Sequence, residues 1–144
     1  IKHNLTSQIL NDKEDINKKA DIIIVNSFGV LEKYYDYCKN VFVGKSMLKK
    51  LENVGGQNPI EPAKLGCKIF HGPYVYNFKE IYEFLNSNDI AIQVHNEQDL
   101  SSKLLESFEA KDNSSTRYID NLEKYGDKIL TETISNIKNY ININ

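Results

Sequence analysis

The chain has 144 residues, with 18 lysines and arginines against 20 acidic residues and a net charge of −2, a balance that offers no basic surface for a nucleic acid. That length suits one domain with a sizeable core, and no apolar stretch approaches the ~20 residues of a transmembrane helix. Cys38 and Cys67 are the only cysteines, and His3, His71 and His95 form no local cluster with them or with carboxylates, so two free thiols in a reduced compartment are expected and a zinc site is not.

Residues 1–20 are polar and lysine-rich, with short structure expected within Ile1–Leu10. Asp21-Ile22-Ile23-Ile24-Val25 is a continuous apolar run, the pattern of a strand buried on both faces. Asn26-Ser27-Phe28-Gly29 supplies a turn, and a helical stretch follows near Val30–Cys38. Val41-Phe42-Val43 predicts a second buried strand, ended by Gly44. A long loop leads to Asn58, then a short helix to Leu65 with Gly66 as its stop. Lys68-Ile69-Phe70 reads as a third strand, ended by His71-Gly72-Pro73. Phe78–Leu85 has helical spacing, and Ile90–Val94 predicts a fourth strand. Asn96 opens a helix whose first turn holds Glu97 and Asp99, and it runs to about Phe108. Asp112–Tyr140 is a long amphipathic stretch with a break expected near Gly126. Its apolar residues Tyr118, Leu122, Tyr125, Ile129 and Ile137 recur at helical spacing, which predicts packing against the body of the protein. The two glycosylation-type tripeptides, Asn4-Leu5-Thr6 and Asn113-Ser114-Ser115, carry no weight without a secretory signal.

Strands alternating with helices predict an α/β fold with a parallel sheet and right-handed crossovers. Ligands in such sheets bind at the carboxyl ends of the strands. Three loops, Asn26–Gly29, Gly44–Asn58 and His71–Asn77, are therefore expected to face one crevice.

The most informative run lies in the middle loop: Val54-Gly55-Gly56-Gln57-Asn58-Pro59-Ile60-Glu61-Pro62-Ala63. Two glycines allow a tight turn and a close approach of backbone to ligand. Asn58 is a preferred N-cap and Pro59 suits the first helical position. The run thus reads as a loop feeding a helix N-terminus that can hold a phosphate or carboxylate, with Glu61 near enough to accept from sugar hydroxyls. The same residues fit an ordinary cap, because Asn58 and Glu61 have capping-box spacing. Pro62 complicates both readings and allows a helix that begins only there.

Three motifs in register over about residues 21–95 resemble the donor half of the 3-deoxy-D-manno-octulosonic acid (Kdo) transferases. They are Phe42-Val43-Gly44-Lys45-Ser46, the Gly55–Ala63 run, and Gly72-Pro73-Tyr74-Val75-Tyr76-Asn77-Phe78. The family's typical run is Gly-Gly-His-Asn-Pro-Leu-Glu-Pro, from which this chain departs only at Gln57 and Ile60. The resemblance implies the C-terminal half of a B-type glycosyltransferase fold, Rossmann-like, with parallel strands flanked by helices. Residues 1–110 would form a partial nucleotide-sugar-binding domain. Residues 111–144 would form a helical segment that packs on an N-terminal domain outside this sequence.

The implied reaction is transfer of Kdo from CMP-Kdo to a lipid A precursor in lipopolysaccharide synthesis, with inversion and with no metal or other cofactor. The absence of an Asp-x-Asp motif agrees with that chemistry. Gly55, Gly56, Gln57 and Asn58 would place donors at the phosphate or Kdo carboxylate, Glu61 would accept from the ribose, and Gly72 and Pro73 would shape the wall near the cytosine. Gly29 would belong to the first crevice loop. There the family commonly has Asp-Thr-x-Gly-Glu-Leu where this chain has Asn26-Ser27-Phe28-Gly29-Val30-Leu31, so Val30 cannot repeat the hydrogen bonds of an acid. Lys49 and Lys50 lie among extra residues between Lys45 and Gly55. No residue of this chain is assigned a catalytic role, because the family's base and acceptor site belong to the N-terminal domain; the isolated chain is expected to be inactive. The parent protein would work at the cytoplasmic side of the inner membrane and contact it only through its full length, while this portion is soluble.

His71 reads as a hydrogen-bonded structural histidine, and Tyr74 and Tyr76 as either packing residues or base-stacking ones. Two other functions fit the same chain. A non-catalytic or degenerate nucleotide-binding module is distinguished by the activity of the whole gene product. A B-type transferase using a UDP-sugar is distinguished by base preference.

Overall fold

The computed structural model describes residues 4–110 and 115–141, and the side chains of these except at 115–119. His3, the Asn113-Ser114 sequon and the side chains of Arg117 and Tyr118 lie outside it. Tertiary contacts divide the chain into two units, residues 1–34 and 35–144.

In the first unit, β1 (Ser7–Leu10) and β2 (Ile22–Val25) pair in parallel, with Ser7 opposite Ile22 and Leu10 opposite Val25. The Asp21 carboxylate starts the pairing by accepting from the Thr6 N–H and hydroxyl, each at 2.8 Å. These bonds hold the Asp21 pKa below its ordinary value. The connection between the strands is stitched by side chains: Gln8 donates to the Asp15 carbonyl and accepts from the Asn17 N–H. The apolar run 22–25 predicts a strand buried on both faces within a single sheet. Instead it belongs to a separate two-stranded sheet, and Ile22 and Ile24 are about half exposed. Two strands have too little area to cover both of their faces. The helical stretch predicted over 30–38 shortens to α1 (Leu31–Tyr35).

The second unit holds a parallel sheet in the order β3 (Asn40–Phe42), β4 (Lys68–His71), β5 (Ala91–Gln93). α2 (Ile60–Lys64) connects β3 to β4, and α3 (Lys79–Ser87) connects β4 to β5. The crossover rule explains the arrangement, since parallel neighbours need an intervening element. α2 ends as Gly66 requires: at φ +70° it lets Cys67 N–H reach the Pro62 carbonyl at 3.0 Å and its own N–H reach the Ala63 carbonyl at 3.1 Å, a Schellman stop. α3 ends the same way around Asp89 at φ +58°, with Ile90 N–H on the Leu85 carbonyl at 2.9 Å.

The core forms between this sheet and its helices. Ile69, Leu85 and Val94 are completely buried, and Val43, Ala63, Val75, Tyr82, Ile90 and Ala91 are nearly so. α4 (Glu97–Glu109) starts where the sequence predicts, with the Asn96 side chain accepting from Asp99 N–H at 2.8 Å and the Asp99 carboxylate accepting from His95 N–H at 3.0 Å. α5 (Ser115–Ile141) runs unbroken through Gly126. Its early part packs as the apolar spacing predicts: Leu122 joins the core cluster, and Tyr125 stacks on Phe84 at 4.2 Å between ring centroids. Beyond Gly126, the expected packing of Ile129 and Ile137 is not observed, and both are exposed with Leu130, Ile134 and Ile141. The helix there has no neighbour among the described residues that covers it.

Candidate functional site

β3 and β4 end at Phe42 and His71, and the loops that leave these carboxyl ends meet the Gly-rich run. Ser46 joins two of them. Its buried hydroxyl donates to the Val43 carbonyl at 2.6 Å and accepts from Gly72 N–H at 2.9 Å, while its carbonyl accepts from Tyr74 N–H at 2.8 Å. Gly72 is obligatory for steric reasons. A β-carbon there would drive into the backbone of Ser46 and Met47.

The Gly-rich run is held from below by residues that follow β4. Asn77 donates to the Gly56 carbonyl and the Tyr82 hydroxyl to the Gln57 carbonyl, each at 2.9 Å. Gln57 N–H reaches the Gly44 carbonyl at 3.4 Å. Gly55 turns at φ +75°, and a β-carbon on it would collide with the Asn77 side chain. A trans peptide points its N–H opposite to its C=O. Because Tyr82 draws the Gln57 carbonyl inward, Asn58 N–H is aimed outward. Among the described residues, neither Gly56 N–H nor Asn58 N–H has an acceptor. Gly56 is buried, and an unpaired buried N–H is uncommon enough to need a reason.

The helix start differs from the expectation in register. Pro59, not Asn58, is the N-cap, and Asn58 accepts from Ile60 N–H at 2.9 Å from one position earlier. Pro62 is the third helical residue, where no intrahelical acceptor exists to be lost. The first such bond is Ala63 N–H to the Pro59 carbonyl at 3.1 Å. No bond from Glu61 to Asn58 N–H forms among the described residues, so the capping box is not made, and the Glu61 side chain is exposed at the mouth of the loop. At five residues, α2 is too short to contribute much dipole, so any anion-holding power resides in the loop N–H groups.

His71 lies under these loops, fully buried. Burial lowers its pKa. Its Nδ1 is 2.7 Å from the Gly72 carbonyl and its Nε2 3.1 Å from Asn86 Oδ1. A carbonyl can only accept, so Nδ1 carries the proton; in the neutral ring Nε2 is then an acceptor, and it pairs with Asn86 when that amide is turned to present its NH2 group in place of Oδ1. The ring also packs on Tyr82 at 4.4 Å. Burial pushes the Tyr82 phenol well above its ordinary range. His71 is therefore the structural histidine anticipated above. Tyr76 donates to the Asn53 carbonyl, which ties it to the loop.

Of the residues singled out from sequence, Gly55, Gly56, Gln57, Asn58, Gly72 and Pro73 lie on these joined loops, and Glu61 lies in the first turn of α2 that follows the Gly-rich run. Gly29, at φ +71°, follows β2 and belongs to the first unit. Asn77 and Tyr82, which brace the run, escape a reading of the sequence because their partners lie more than 20 residues away along the chain. A separate cavity of about 400 Å³ opens at the amino ends of the same strands, lined by Lys39, Cys67, Lys68, Ile90 and Ser107.

Known proteins are similar to this chain in sequence and in fold. A Kdo transferase of Aquifex aeolicus is 34% identical over 95 residues, which are 66% of this chain and 26% of that protein. The chain is a relative of the Kdo transferases. The Kdo transferase of Haemophilus influenzae is 29% identical over 90 residues, 62% of this chain and 20% of that protein. A bifunctional glycosyltransferase/methyltransferase of Fusobacterium nucleatum is 32% identical over 114 residues, 78% of this chain and 17% of that protein. The chain thus spans about a quarter or less of these relatives. The C-terminal CMP-Kdo binding domain of WaaA from Acinetobacter baumannii has the same fold, with a TM-score of 0.68 at 22% identity over 84% of this chain and 61% of that one. No protein-family model matches. As a Kdo transferase relative with that fold, the chain carries the α/β architecture its sequence predicts.

Proposed function

We propose that this chain is the donor-binding part of a glycosyltransferase that moves Kdo from CMP-Kdo to a lipid A precursor. The observation that carries the reading is the Gly55–Asn58 loop, whose carbonyls are drawn inward by Asn77 and Tyr82 while the N–H groups of Gly56 and Asn58 are left without acceptors among the described residues. Those donors suit the single phosphate of CMP or the Kdo carboxylate. The Kdo transferase relatives and the CMP-Kdo binding fold neighbour support the choice of nucleotide sugar.

In this reading Glu61 accepts from the ribose hydroxyls, and Gly72 with Pro73 walls the base. One phosphate is neutralised by loop N–H groups and lysines, so the transfer, with inversion, runs without a metal. The base and the lipid acceptor site come from an N-terminal domain, and the exposed face of α5 at Leu130, Ile134 and Ile137 packs there. The work is done at the cytoplasmic side of the inner membrane. Among the described residues, no helix is long and apolar enough to cross a membrane.

Calorimetric titration tests the reading. CMP is expected to bind more tightly than UMP, and Glu61→Ala to weaken CMP about tenfold or more, the loss of a carboxylate hydrogen bond. A preference for UMP would favour the UDP-sugar alternative. Unchanged CMP affinity in a folded Glu61→Ala chain would remove the ribose role.

A further inference from the structure

Lys45 has a left-handed backbone, φ +65°. Residues with a β-carbon avoid this region, which glycine enters freely and asparagine enters readily. Two other described non-glycine residues share it, and both have local reasons. Asp89 ends α3, and Lys13 lies in the Asn11–Glu14 turn of the first unit. Lys45 is different because its conformation is imposed by the two loops of the site. Gly44 before it accepts from Gln57 N–H, and Ser46 after it is fixed to Gly72 and Tyr74. Its side chain is exposed and, among the described residues, makes no hydrogen bond or ion pair. A strained residue retained where glycine fits at lower cost suggests that its side chain has work to do.

We propose that Lys45 contacts the anionic group of the bound nucleotide sugar, adding its charge to the Gly56 and Asn58 N–H groups. This rests on the nucleotide-sugar reading above. The lysine sits between the Gly-rich loop and the Gly72 loop, with the unpaired N–H groups on the neighbouring strand of chain. A flexible cation there needs no fixed geometry to reach a phosphate or carboxylate.

The test uses the 144-residue chain and two probes, CMP and cytidine, which differ by the phosphate. Lys45→Gly and Lys45→Asn both accept the backbone conformation and remove the charge; Lys45→Arg keeps the charge. The expected result is that Gly and Asn weaken CMP about five- to tenfold and leave cytidine within about twofold, while thermal midpoints rise by about 2–5 °C as strain is relieved. Arg retains CMP binding within about threefold. A purely structural role would not weaken affinity while raising stability. CMP affinity unchanged in both neutral variants overturns the inference and leaves the donor site standing. If the unsubstituted chain, folded, binds neither probe, the donor-site reading fails and this inference fails with it.

Discussion

Tyr82 is a buried aromatic by its packing and a polar tether by its hydroxyl, which holds the Gln57 carbonyl. Tyr82→Phe keeps the ring and frees that carbonyl. We expect a loss of about 1–2 kcal/mol and faster amide hydrogen exchange at Gln57, whose N–H reaches the Gly44 carbonyl, read by NMR. His71 supplies a pH dependence. Its folded-state pKa is lowered by burial, so the unfolded chain binds the proton first as pH falls. The stability tied to neutral His71 is complete above the ordinary histidine value of about 6.5 and is lost as pH drops below it toward the lowered value. Urea midpoints measured between about pH 7.5 and 5 are expected to fall, and His71→Gln to flatten that slope. A slope unchanged by the substitution contradicts the assignment. At this scale the sequence is only half legible. Gly55 and Gly72 can be flagged as special, but a steric demand from Asn77 or Ser46 arises across the fold and leaves no local pattern.

Among the elements, those with strong local signals are readable, including the stop of α2 and the start of α4, where Gly66 and Asn96 act on neighbours within a few residues. Partnership is harder to read. The apolar run of β2 announces a strand, yet nothing in its pattern names Ser7–Leu10 as its partner, and the Asp21–Thr6 bonds at the start of the pair join residues 15 apart in the chain. Gly126 reads as a break because glycine is a poor helix former. The helix passes through it because Leu122 and Tyr125 anchor the preceding turn. A β-carbon at Gly126 meets nothing within 4 Å. Gly126→Ala is therefore expected to stabilise the chain by about 0.5–1 kcal/mol, measured by urea unfolding. Destabilisation would mean that the helix is not formed there in solution.

For the molecule as a whole, the central claim is that the carboxyl ends of β3 and β4, and not the cavity at their amino ends, receive the nucleotide. Both lie in the same unit, so one spectrum reports on both. The direct measurement is an NMR titration of the folded chain with CMP. Perturbations are expected to concentrate at Gly55, Gly56, Gln57, Asn58, Glu61 and Gly72, larger for CMP than for UMP. Perturbations confined to Lys39, Cys67, Lys68 and Ser107, or none at saturating CMP, would contradict the claim.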